Sequence, residues 1–214
     1  RLRNTALYVE RVAADPRYQA AAHRKLPRKI GRRLQFFDCL ACDKCIPLCP
    51  NDANFTVRMP STPQLPLKVG KQLVHFADFC NDCGNCDVFC PEDGGPFVEK
   101  PRFFASIESW QRDRGVGFYV RPGTRDSIWG RFAGGAEYLL QLDRDRAEAL
   151  FKTGDLELDI DLRTHRLRGL RGEPPAAAAA EAPPIDMLPY HVLRTLLAGV
   201  LDARRTHFVN CGRD

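Results

Sequence analysis

Residues 37–52, FDCLACDKCIPLCPND, and residues 78–93, DFCNDCGNCDVFCPED, are two copies of one pattern set 41 positions apart. Cys39, Cys42, Cys45 and Cys49, followed by Pro50, spell C-x2-C-x2-C-x3-C-P, and Cys80, Cys83, Cys86 and Cys90, followed by Pro91, spell it again. Three cysteines at intervals of three let one tight loop present three thiolates to a compact inorganic core, which is the demand of a 4Fe-4S cubane. Disulfides fit less well, because they suit small secreted chains, whereas no signal-peptide pattern opens this one and its cysteines crowd into two short runs. Zinc sites pair two C-x2-C knuckles across a longer loop, unlike three closely spaced sulfurs with a fourth before proline.

In two-cluster ferredoxins the fourth cysteine of each run ligates the other cluster. The expected sets are therefore Cys39, Cys42, Cys45 and Cys90 for the first cluster, and Cys80, Cys83, Cys86 and Cys49 for the second. Cys211, in HFVNCGRD, has no second cysteine nearby and reads as a spare thiol. Cluster-bound thiolates must escape oxidation, which predicts a reducing, cytoplasmic setting.

The chain has 214 residues, 44% of them hydrophobic and 28% charged, an ordinary composition for a globular protein. No run approaches the ~20 apolar residues of a membrane span. The net charge of +5 hides an asymmetry. Arg24, Lys25, Arg28, Lys29, Arg32 and Arg33 form a basic cluster, suited to docking an acidic redox partner or, in a competing reading, to nucleic acid. Asp78, Asp82, Asp87, Glu92 and Asp93 surround the second motif instead, and that charge predicts the lower reduction potential for the second cluster.

The expected fold class is α+β: a bacterial two-cluster ferredoxin-like domain with an N-terminal helical extension, a small β-rich accessory domain and a C-terminal helix. Residues 1–33 read as a helical and basic adaptor, with one helix from Thr5 to about Val12 and a second over Arg17 to Arg24. The opening Arg1 suggests a processed chain or a piece of a longer one. Residues 34–104 form the ferredoxin-like unit, entered by a strand at Leu34–Phe37. The fourth cysteine of each motif is expected to open a short helix, and 58–71, rich in proline, reads as a surface excursion. Ile46, Leu48, Val88 and Phe89 lie between ligands as apolar cover.

Residues 115–172 form the accessory domain, with strands at 117–121, 127–132 and 136–142 and a helix at 144–153. Leu156, Leu158, Ile160 and Leu162 alternate with Glu157, Asp159 and Asp161, the pattern of a half-buried strand with a solvated acidic face. Residues 173–184, EPPAAAAAEAPP, form a Pro/Ala linker. Residues 185–214 hold an amphipathic helix, capped by Asp186, whose stripe of Leu193, Leu196, Leu197, Val200 and Leu201 packs on this chain or on a partner.

Paired, fully ligated cubanes relay single electrons and leave no open iron for substrate. No G-x-G-x-x-G stands between a strand and a helix, and Gly130, Gly134 and Gly135 do not supply one. His23, His75, His165, His191 and His207 are scattered without metal-ligand pairing. The sequence offers no catalytic substrate site, and whatever exchanges electrons with NAD(P)H, flavin or substrate is expected on another domain or chain.

The stretches TALYVERVAADPRY, LPRKIGRRL, FDCLACDKCIPLCPNDANF and CNDCGNCDVFCPEDGGPFVEKPRFF resemble the C-terminal region of large flavoproteins classed as selenate reductase subunits. Those proteins are similar to the small subunit of glutamate synthase and to dihydropyrimidine dehydrogenase in coupling FAD and NAD(P)H domains to ferredoxin-type clusters. The resemblance covers residues 5–105. It implies that Cys39, Cys42, Cys45, Cys49, Cys80, Cys83, Cys86 and Cys90 are cluster ligands, and that FAD and NAD(P)H lie on a flavoprotein partner domain or subunit. The chain would then be the electron-transfer component of a multi-component oxidoreductase, with other redox subunits as partners. A free-standing ferredoxin-type carrier is the alternative, and an iron-sulfur nucleic-acid-binding protein a more remote one.

Overall fold

The computed structural model describes residues 2–19, 21, 27–172 and 185–211. Among the described residues the chain is α+β, with nine strands that follow sequence order in a single hydrogen-bonded sheet. Helix α1 (Leu2–Ala14) leads into a 3-10 turn at Pro16–Tyr18, where the Asp15 carboxylate accepts from Arg17 N. That turn replaces the start of the second expected helix. The rest of the helix falls largely outside the described residues.

Strand β1 (Asn54–Arg58) pairs antiparallel with β2 (Lys71–Phe76). Strands β3 (Arg102–Phe104) and β4 (Gly117–Arg121) then join in parallel pairings, β2 with β3 and β3 with β4. Parallel neighbours need a crossover connection, and here the β2–β3 crossover is the second cysteine motif, with the short helices α2 (Asn85–Val88) and α3 (Pro96–Glu99). The β3–β4 crossover holds α4 (Ile107–Arg112), started by a Ser106–Ser109 capping box. Strands β5 (Asp126–Arg131), β6 (Glu137–Asp143), β7 (Glu148–Thr153), β8 (Leu156–Asp161) and β9 (Leu167–Arg171) complete the sheet as an antiparallel meander.

The sheet thus runs without a break across the boundary drawn between residues 104 and 115. Its hydrophobic core does too, from Val57 and Val74 through Phe103, Phe118 and Ile128 to Phe151 and Ile160. Helix α5 (Leu188–Val200) closes that core with its own stripe, Leu193, Leu196, Leu197 and Val200 all being fully buried. Of the two fates open to the stripe, the structure takes the intramolecular one. Asp186 is not the N-cap expected of it: Met187 holds that position without a side-chain cap bond, and Asp186, one residue earlier, accepts from Leu188 N at 2.9 Å. Two glycines permit the close approach: a Cβ on Gly130 of β5 would stand 2.6 Å from Leu193 Cδ2, and one on Gly199 would stand 2.7 Å from Met59 Cγ.

Several local expectations are corrected. Leu34–Phe37 is not a strand; its neighbour Arg33 forms one isolated bridge with Asp93, and Leu34 N donates to Asp93 O at 2.7 Å. Residues 144–153 are not a helix, although Ala147, Glu148, Ala149 and Leu150 favour one. Burial of Ala149 and Phe151 on one sheet face outweighs that weak intrinsic preference and gives β7. Neither fourth cysteine opens a helix, for α2 lies inside the second motif and carries Cys86. On β8, Leu158 and Ile160 are buried as expected, but Asp161 is buried as well. Its carboxylate accepts from Arg163 N and Thr164 N at 2.9 and 2.8 Å and pairs with Arg168, so it shapes the turn into β9. Residues 173–184 lie outside the described residues. No helix among the described residues is long and apolar enough to cross a membrane.

Candidate metal centre

The β1–β2 register brings the two motifs together. Asn54, just past the first motif, faces His75, just before the second, and Phe76 N donates to Ala53 O at 2.7 Å. Each motif then coils tightly through left-handed residues: Asp38, Ala41 and Asp43 have φ of 55°, 50° and 59° in the first, and Asp82 and Gly84 have 53° and 75° in the second. Such values are uncommon outside glycine, with aspartate among the more tolerant residues. Asp38 is further held by its carboxylate, which accepts from Lys68 N, Val69 N and Gln72 Nε2 at 2.9 to 3.1 Å.

Cys39, Cys42, Cys45 and Cys90 line one cavity, with Leu40, Leu73 and Pro96 as its apolar part. Three of these thiols come from the first motif and one from the second. Burial, and then the neighbouring Cys39, Cys42, Cys86 and Cys90, push the Cys45 thiol up to about 12. Cys86 is also raised, chiefly by burial, with Cys49 and Cys83 among its electrostatic neighbours; Cys80, raised for the same first reason, has Cys86 as a neighbour. Cys39, Cys42, Cys45 and Cys90 thus share one cavity, while Cys49, Cys80 and Cys83 are electrostatic neighbours of Cys86, itself a neighbour of Cys45.

Crowded, partly buried thiols that resist ionisation in mutual company are suited to a cationic core, which takes up their negative charge and displaces their protons. Backbone N–H groups already point at sulfur: Ala53 N lies 3.3 Å from Cys49 Sγ and Asp82 N 3.4 Å from Cys80 Sγ. Hydrogen bonds of this kind tune cluster potentials. Among the described residues, no three or more His, Cys, Asp or Glu side chains are gathered around a point suited to one metal ion. Four thiols lining one cavity are nonetheless donors of the chemistry that an iron-sulfur core takes.

The charges around the thiols differ from the sequence reading. Lys29, Arg32 and Arg33 are bonded to the second motif and its flank. Lys29 Nζ donates to Asp87 O at 2.7 Å and meets the Asp87 carboxylate at 3.2 Å, while Arg33 meets Glu99 at 2.8 Å. Arg32 Nε lies 2.6 Å from Glu92 Oε1, a charge contact without hydrogen-bond alignment. These three cations form a strap on their own chain, which leaves them less free for an acidic partner or nucleic acid. Glu92, counted with the second motif, is buried and lines the Cys39 cavity, where its other oxygen accepts from Leu40 N at 3.1 Å. Asp78 accepts from Ala105 N at 2.7 Å. Val88 and Phe89 are partly exposed.

Two buried polar contacts were not foreseen from the sequence. Lys100 is buried, and its Nζ donates to Gln35 O at 2.7 Å and lies beside Cys39. Burial lowers its pKa, opposed by Cys39, Glu92 and Asp38. The second is the buried Asn54–His75 pair between the motifs, 2.9 Å apart. Neither residue carries a motif, and a lysine in EKPRFF gives no sign that the fold will enclose it. Elsewhere, His165, Tyr190 and His191 do meet, His165 Nδ1 lying 3.0 Å from Tyr190 Oη, although the sequence scattered them.

Two kinds of relative are found among curated proteins, both named as oxidoreductases. The Escherichia coli (strain K12) protein named Putative oxidoreductase YgfK is 34% identical over 79 residues, which is 37% of this chain and 7% of that protein. Ketoisovalerate oxidoreductase subunit VorC of Methanothermobacter marburgensis is 30% identical over 59 residues, 26% of this chain and 63% of that subunit. The chain therefore spans a small part of YgfK and just under two thirds of VorC. No family model matches the chain, and no solved structure does.

Proposed function

We propose that the chain is an electron-transfer component of an oxidoreductase, holding one 4Fe-4S cluster with Cys39, Cys42, Cys45 and Cys90 and a second with Cys49, Cys80, Cys83 and Cys86. The cavity shared by three thiols of one motif and the fourth of the other carries this reading. The names of YgfK and VorC support the redox assignment at a coarse level, and VorC's name adds that of a subunit among others. Such clusters supply reversible one-electron chemistry. The protein's own part is to fix eight sulfurs, aim N–H groups at them, and keep the Cys45 and Cys86 sides adjacent.

The partner is the one that the resemblance to large flavoproteins implies. Electrons would come from, or go to, a flavoprotein using NAD(P)H, with further redox subunits beyond it. Anaerobic isolation followed by iron, sulfide and zinc analysis tests the site. Near-equal iron and sulfide are expected, together with reduction by NAD(P)H only when the flavoprotein is added. A preparation holding zinc, or no metal, would end the proposal.

A further inference from the structure

The first cysteines of the two repeats meet charges of opposite sign. Lys100 is 1% exposed, and lysine is almost never fully buried unless paired. Among the described residues its Nζ forms no ion pair with a carboxylate; it donates to Gln35 O at 2.7 Å and reaches Phe36 O at 3.5 Å, on the segment that leads into Cys39, whose thiol is an electrostatic neighbour. A buried ammonium held by two carbonyls is compensated when a neighbouring sulfur is anionic. In the second repeat, position 41 of the first, an alanine, is replaced by Asp82. Its carboxylate stands 3.6 Å from Cys80 Sγ, the counterpart of Cys39. Glu92 also lines the Cys39 cavity, but Arg32 stands against it at 2.6 Å.

We propose that Lys100 sets the Cys39, Cys42, Cys45 and Cys90 centre at the higher potential, so that electrons pass to it from the Cys49, Cys80, Cys83 and Cys86 centre. This rests on the cluster reading above. A buried positive charge stabilises an added electron nearby, and a carboxylate beside a thiolate opposes one. Lys100 and Asp82 therefore act in the same sense on the difference between the two centres. In the transfer one electron leaves the centre beside Asp82 and one arrives at the centre beside Lys100; no proton moves and no bond breaks. Cys42 and Leu40, both exposed, mark the face from which the electron would leave.

The test is an EPR-monitored redox titration of the anaerobically isolated holoprotein and of Lys100→Met, Lys100→Arg and Asp82→Asn variants, each checked for iron. Lys100→Met is expected to lower the higher potential by a tenfold or larger change in its reduction equilibrium, about 59 mV per tenfold for one electron. Lys100→Arg should restore most of that shift, and Asp82→Asn should raise the lower potential instead. Two clusters whose potentials ignore Lys100→Met, or a Lys100→Met shift confined to the lower-potential centre, overturn this proposal and leave the cluster reading standing. If Lys100→Met loses iron, a rise of the higher potential in Asp82→Asn overturns it, while a rise of the lower one supports it. A wild-type chain without iron overturns both.

Discussion

Asn54 and His75 form a buried hydrogen bond, Oδ1 to Nδ1 at 2.9 Å, at the point where β1 and β2 bring the two cysteine motifs together. Asn54 Nδ2 also donates to Cys45 O at 3.0 Å. With that amide donating, Oδ1 is the acceptor and His75 carries its proton on Nδ1. A neutral imidazole thus serves as a strut between the motifs.

The strut makes stability depend on pH. Burial, helped by the Arg102 guanidinium, lowers His75 from 6.5 to about 4. A depressed histidine pKa means that the unfolded chain binds the proton more readily, so its contribution is intact above pH 6.5 and is lost as pH falls toward 4. The loss is about 1.4 kcal/mol per pH unit within that window. Denaturant unfolding at pH 7 and pH 5 should show the wild type losing more stability than His75→Gln. Equal losses would refute the strut.

The seat of α5 on the sheet should be intolerant of one methyl group. Gly130→Ala would press on Leu193 and on the Phe118 ring, 2.6 and 3.0 Å from the new carbon, at a cost of about 1–3 kcal/mol. Leu193→Ala alone should cost about 2–5 kcal/mol through the cavity it leaves. Because the two residues share the same space, the double variant should cost less than the sum. Thermal or denaturant unfolding of all four proteins measures the coupling, and strict additivity would count against this packing.

Crossed ligation predicts that damage does not stay in one motif. Cys45→Ser and Cys86→Ser should each reduce bound iron to about half or less and lower the unfolding temperature, since cluster binding is linked to folding. Iron and sulfide assays with calorimetry under anaerobic conditions check this. Full iron retention in either variant would contradict the ligand assignment.

Cys211 is exposed, its Sγ 3.4 Å from Phe208 O, and belongs to neither thiol group. Alkylation of the anaerobic holoprotein should therefore modify Cys211 first, although Cys42 and Cys83 are exposed as well. Cys211→Ser should leave iron content unchanged. Peptide mapping that finds Cys42 or Cys83 modified at the same rate would argue that they are not ligated.

Short-range pattern explains most of what was legible. The strand at 156–161 alternates apolar and polar residues, and the α5 stripe repeats at helical spacing, so each announces which face it buries. The misreadings lie where that signal is weak or conflicting. Residues 148–153 have helix-favouring composition but a strand's burial, and Leu34–Phe37 has strand-favouring composition but bonds as an isolated segment. For the basic cluster, sequence gives charge without its intramolecular partners; Asp87, Glu92 and Glu99, far along the chain, supply them for Lys29, Arg32 and Arg33.

By itself the sequence determined the eight cysteines in two matching runs, with their spacing fixed by local chain geometry. Tertiary structure alone decided what surrounds them, from the single sheet that crosses the expected domain boundary to the burial of Lys100 beside Cys39 and of His75 between the motifs. The physical reason is range. Ligand spacing within a loop depends on a few consecutive bonds, whereas the field at a sulfur depends on which distant side chains folding brings within a few ångströms and shields from water.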